Sequence, residues 1–195
     1  MVERRHKDYA CLRVLECPFY VPYMSFSYPY HVLTLSLPSL LSSPMFLHIS
    51  RVFFALLLLA SAVGKLLDIP GFYGIVRSYQ LLSDTRIAPA AWALSLTELA
   101  VGAALGMTSA GLKLRTAVVG LLVLLHVFYL FGLTTALARG LALPNCGCFG
   151  VYWPRPLSAW SVLEDVVLLL WATAFYWGLA ASQARSNRQH AQGQR

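Results

Sequence analysis

The sequence predicts an all-α protein: a four-helix transmembrane bundle with its N- and C-termini in the cytoplasm. Three observations carry that prediction. The chain of 195 residues is 58% hydrophobic and only 12% charged, whereas a soluble domain is about 25% charged. Its apolar residues gather into four stretches of about 20 residues, the length a helix needs to cross about 30 Å of hydrocarbon. Fifteen Lys and Arg against eight Asp and Glu give a net charge of +7, and the basic residues flank the apolar stretches. So few charges cannot keep an ordinary cytosolic enzyme in water, and a mean hydropathy of +0.62 excludes a disordered chain. Basic residues at helix ends read as topological charge, so no nucleic-acid partner is expected.

The helices fall at about 46–67, 88–107, 116–138 and 158–181. The first contains the unbroken run from Val52 to Leu59. Backbone groups facing lipid must find partners within their own segment, which dictates helices. No stretch alternates polar and apolar residues with period two, so a barrel does not fit. The connectors carry the breakers: Pro70-Gly71, then Gly111, then Pro144, Gly147, Gly150, Pro154 and Pro156. Residues 45–182 make the membrane domain. Residues 1–44, rich in Tyr, Pro and Ser, read as a poorly ordered leader, with Met45 as an alternative start. Their apolar run at 32–41 is too short to span and is broken by Pro38. The first helix has a rival reading, because Arg51, the apolar run and Ala60-Ser61-Ala62 resemble a cleavable signal peptide. Residues 183–195 form a polar, basic tail, expected to be disordered.

With four spans both termini share one side. Cytoplasmic termini place ten of the fifteen basic residues inside; starting from Met45, the count is six inside against five outside. The positive-inside rule therefore favours cytoplasmic termini. It predicts a multi-pass plasma-membrane protein whose loop between the third and fourth helices is extracytoplasmic.

That loop holds Pro144-Asn145-Cys146-Gly147-Cys148-Phe149-Gly150. A disulfide between cysteines two apart closes a minimal ring, so it is a poor staple for a fold. It would be strained, and strained, exposed disulfides are oxidising and labile. Gly147 and Gly150 permit the backbone bend. The fourth helix starts near Ser158, and Arg155 is close; a helix N-terminus and a cation both favour the thiolate. Three readings stand: a redox pair, a soft-metal site for copper(I) or zinc, and loop cysteines without chemistry. The metal reading is weak, since neither a His nor a further Cys follows at ligand spacing, and no metal is expected. Cys11 and Cys17 lie in the leader and receive no role.

Ionisable residues within the spans point to the same end. Glu98 is ten residues into the second helix, about 15 Å deep, where a carboxyl must be neutral, paired or wet. Gly102 and Gly106 share its face and permit close helix approach. Lys65 ends the first helix, and Glu164 and Asp165 lie two turns into the fourth. One reading is a polar cluster beneath the cysteine loop, with Glu98 and Lys65 relaying protons or shaping a quinone pocket. The other is a buried Lys–carboxylate pair that sets helix register. His126, near Tyr129, reads as a hydrogen-bonded core residue before a haem or metal ligand. Trp153, Trp160, Trp171, Tyr176 and Trp177 read as interface belts and lipid contacts.

The loop Asn145-Cys146-Gly147-Cys148-Phe149-Gly150 after a third hydrophobic helix resembles the MauE family, methylamine-utilisation membrane proteins related to DoxX. Arg51, Gly64-Lys65, Tyr79-Gln80-Leu81-Leu82, Glu98-Leu99 and Arg139-Gly140 match in order, and the resemblance covers roughly 48–180. The 44-residue leader departs from the family pattern. The resemblance implies a four-helix membrane protein that supports maturation of the methylamine dehydrogenase β-subunit, a disulfide-dense periplasmic protein. From it comes the expectation of thiol–disulfide chemistry at Cys146 and Cys148. The expected partners are the lipid bilayer and an extracytoplasmic thiol/disulfide protein, with a membrane quinone as the candidate co-reactant. The alternatives are a transporter, a non-enzymatic assembly subunit, or a DoxX-type subunit of an oxidoreductase complex. No nucleotide-binding or hydrolase motif is present.

Overall fold

Ser43 opens the first helix: its hydroxyl accepts a hydrogen bond from the Phe46 amide at 3.3 Å, and Pro44 follows at the first helical position. The computed structural model describes residues 40–107 and 111–193. The helices are α1 (Pro44–Leu66), α2 (Ile69–Ser78), α3 (Asp84–Gly106), α4 (Leu112–Ala138) and α5 (Ala159–Gly193). All except α2 are long and apolar enough to cross a membrane. The described residues contain no strand. The four spans agree with the sequence expectation, and this is a multi-pass membrane protein. Cys11, Cys17 and most of the leader lie outside the described residues. The leader's last residues, Leu41 and Ser42, lie against α5 near Gly178 and Arg185.

The sequence reading missed α2 and shortened α5. Pro70-Gly71 looks like a breaker, but Asp68 caps the new helix by accepting from the Gly71 amide at 2.8 Å, and Pro70 sits in its first turn. Proline lacks only an amide that a first turn leaves unpaired, so here it starts a helix instead of ending one. The polar tail, expected to be disordered, continues α5 as helix to Gly193. Its Ala, Gln, Arg and Ser residues carry no Pro and no internal Gly to stop it.

α1 packs along α3, and α4 along α5. The two pairs meet through Phe54, Leu58, Val101, Leu105, Leu122 and Phe175. Gly102 lets α1 approach closely, since a Cβ there would lie 3.1–3.2 Å from Leu58 and Leu59; Gly106 faces open space. Leu56, Leu124, Phe128, Phe131 and Leu170 point outward, as lipid-facing side chains must. Trp153, Trp160 and Trp177 are exposed, whereas Trp171 is half-buried and packs against the core. It stacks on Phe53 with ring centroids 4.4 Å apart and donates to Ser50 Oγ at 2.9 Å. His126 is buried, with Nδ1 2.9 Å from the Leu122 carbonyl and its ring edge-on to Phe54. It is a packed core histidine.

Candidate functional site

The site lies where the 139–158 loop sits on the ends of α1 and α2. Asn145 ties the loop into shape. Its Nδ2 donates to the Gly150 carbonyl at 2.9 Å, and its Oδ1 accepts from the Gly147 amide at 2.9 Å. The Cys146 amide donates to the Arg155 carbonyl at 2.7 Å, and the Leu157 amide to the Leu143 carbonyl at 2.9 Å. Gly147 and Gly150 have φ of +77° and +73°, a region side chains rarely enter. A Cβ on Gly150 would collide with the Gly64 carbonyl, and one on Gly64 with the Phe149 carbonyl. The two glycines thus let loop and helix backbones touch, which seats the cysteines on α1.

The cysteines are free thiols with their sulfurs 3.1 Å apart; Cys146 is buried and Cys148 half-buried. A small loop adjustment would close them into a bond. Cys146 is lowered to about 6, chiefly by the hydrogen bond from the Cys148 thiol, with Arg155 contributing. Cys148 is raised because its proton is held on the Cys146 sulfur, with burial adding to the effect. The reduced pair is therefore a thiolate at Cys146 beside a thiol at Cys148. Arg155 is anchored by donating to Glu164 at 2.9 Å. Tyr79, at the end of α2, donates to the Cys146 carbonyl at 2.7 Å.

Beneath the loop, Lys65 Nζ lies 2.6 and 2.7 Å from the two carboxylate oxygens of Glu98, with both side chains 1% exposed. Lys65 also donates to Ser61 Oγ at 2.8 Å, and Tyr129 donates to Glu98 Oε1. Ser61 in turn lies 2.6 Å from the Cys148 carbonyl. The buried pair and the cysteine loop are thus one connected network. Of the four ionisable residues singled out from the sequence, Lys65 and Glu98 come together. Glu164 joins Arg155, and Asp165 is buried with Oδ2 unpartnered among the described residues.

Sequence reading missed Ser61, Tyr129 and the ordering role of Asn145. Ser61 stands one turn before Lys65, a spacing that places both on one helix face; that signal was available. Tyr129 had none, because only the packing of α4 on α3 brings it to Glu98. Arg139 donates to the Tyr79 carbonyl at 3.0 Å and to Gln80 Oε1 at 3.2 Å. This contact joins two of the motifs quoted from the sequence.

α3 and α4 meet over less of their length than α1 and α3 or α4 and α5 do. Between them and α2 opens a cavity of about 710 Å³. Its walls include Phe72, Ile75, Leu94, Phe131 and Leu133, and at its polar end lie Lys65, Tyr129, Cys146 and Cys148. No group of three or more metal-ligating side chains occurs among the described residues.

The sequence model of the family described as Methylamine utilisation protein MauE matches residues 43–178. The methylamine utilization protein MauE of Paracoccus denitrificans is 33% identical over 153 residues, covering 78% of this chain and 80% of that protein. Its counterpart in Methylorubrum extorquens is 33% identical over 148 residues, covering 75% and 76%. The Methylophilus methylotrophus protein is 31% identical over 110 residues, covering 56% of each chain. No solved structure matches. The match spans the four membrane helices and the cysteine loop between the last two, and the chain belongs to the MauE family.

Proposed function

We propose that this membrane protein is a thiol–disulfide donor: its Cys146–Cys148 bond oxidises a dithiol on an extracytoplasmic protein. The observation that carries the reading is the unequal pair of thiols in a loop clamped to the bundle. In the oxidised protein, a partner thiolate attacks Cys148, the less buried residue of the two. The Cys146–Cys148 bond breaks and Cys146 leaves as a thiolate, and thiols of low pKa leave fastest. The partner's second thiolate then attacks the mixed disulfide. The partner gains its disulfide, Cys148 takes up one proton, and the other is released to water while Cys146 stays ionised. The charge bias of the chain supports an outward loop in the plasma membrane. The relatives are named for methylamine utilisation, so the partner proposed is a disulfide-bearing enzyme of that metabolism, as the resemblance to the family implies.

Acid trapping followed by alkylation in whole cells tests this. The pair should be protected from a membrane-impermeant thiol reagent until a reductant is added. In Cys146→Ser the lone Cys148 thiolate can still attack the partner's disulfide, displacing one partner thiolate, but has no second thiol to complete the exchange, so a mixed disulfide should be trapped whose mass identifies the partner. Thiols that stay free in growing cells, or a reporter fused after Gly150 that is active in the cytosol, would sink the proposal.

A further inference from the structure

We infer that the cavity between α2, α3 and α4 is a binding site for a membrane quinone, which reoxidises the Cys146–Cys148 pair. The inference rests on the thiol–disulfide reading above and names its electron acceptor. Each oxidation of a partner leaves two electrons on the pair, and they must go somewhere. Cys146 is 7% exposed, yet Cys146 and Cys148 are both among the residues that line the cavity. The reduced pair is therefore met from the cavity side.

The chemistry of the walls selects the occupant. The cavity is lined by α2, α3 and α4 with aliphatic and aromatic side chains, and outward-facing Leu81, Leu82, Phe128 and Phe131 stand among them. A molecule that enters past those residues is lipid-soluble. The lining also includes Cys146, Cys148, Lys65 and Tyr129, held together at one end by the Lys65–Tyr129 contact and by Ser61 between Lys65 and the Cys148 carbonyl. A molecule that uses this end carries polar atoms on an otherwise apolar body. To regenerate the disulfide it must accept two electrons and two protons. Quinones meet all three requirements, and about 710 Å³ falls in the range of small-molecule sites. A quinone ring at the sulfurs would leave its isoprenoid tail to run out between α3 and α4.

The step balances. The Cys146 thiolate and the Cys148 thiol lose two electrons and one proton as the S–S bond forms. The quinone takes both electrons, the proton from Cys148 and a second proton from water, and leaves as quinol. That second proton replaces the one released when the partner was oxidised.

The test uses the purified, reduced, full-length protein in detergent under argon, with decylubiquinone and menadione as probes. Quinol formation is followed by absorbance, and loss of thiols by alkylation mass. One quinol should appear per cysteine pair. Ala93→Trp, at the cavity wall, should slow the reaction at least about tenfold, while diamide still closes the bond in that variant and so shows the loop intact. If that variant does not fold, Gly132→Leu fills the same space, where the nearest atom to an added Cβ is Tyr79 Cε1 at 3.9 Å. A wild-type protein that diamide oxidises but neither quinone does overturns this inference and leaves the proposed function standing. Equal quinone rates in wild type and the filled variants overturn the cavity as the site. A pair that not even diamide can close overturns both.

Discussion

Replacing Glu98 by Gln removes one charge from a pair that has no water to fall back on. Lys65 Nζ is 2.6–2.7 Å from both carboxylate oxygens, and each side chain is 1% exposed. At that distance, with an effective dielectric constant of about 20, the attraction is about 6 kcal/mol. The glutamine oxygen and Ser61 still accept from Lys65, so part is retained. The expected loss is about 3–5 kcal/mol, the usual cost of leaving a buried charge without its partner. For a chain of this size that is a fall of roughly 6–20 °C in Tm. The double variant Lys65→Met, Glu98→Leu removes both charges and should lie within about 2 kcal/mol of wild type. Thermal unfolding of the three variants in one detergent measures this. A Glu98→Gln loss below about 1 kcal/mol would refute the reasoning, since it would mean that no buried ion pair holds α1 to α3. The folded double variant also separates the two readings of the pair. Thiol exchange that persists there makes Lys65 and Glu98 a clasp; exchange lost with the fold intact gives them the proton-relay role.

Alkylation of Cys146 in the Cys148→Ala variant should be slow at pH 7 and fast only in alkali, because the hydrogen bond that lowers Cys146 is gone. In the wild type the rate should reach half its maximum near pH 6, the value to which Cys146 is lowered, and fall as acid protonates the thiolate. Arg155→Gln should move that midpoint upward, because the guanidinium favours the thiolate; an unmoved midpoint removes Arg155 from the site. Gly150→Ala puts a side chain at φ +73° against the Gly64 carbonyl. The strain alone costs about 1–2 kcal/mol, so the loop should lift from α1 and Cys148 should alkylate faster in kinetic trapping. Asn145→Ala removes the bonds to Gly150 and Gly147, costing about 1–3 kcal/mol, and should loosen the loop without unfolding the spans, as hydrogen exchange would read.

The spans and the cysteine pair were legible in the chain itself. Transfer to lipid depends on the composition of a segment, so four apolar runs declare four helices whatever surrounds them. Asn145, Cys146, Gly147, Cys148 and Gly150 are likewise neighbours in sequence, and turn chemistry is local. α2 was hidden because Pro70 is a breaker inside a helix and a starter at its head; only the Asp68 cap decides which. Tertiary structure alone decided the rest. Lys65 and Glu98 are 33 positions apart, and Tyr79 is 67 from Cys146. Composition says that a buried charge must have a partner, but not which one. The cavity is further still from the sequence: it is the space left between α2, α3 and α4, a property of how helices pack and not of any residue within them.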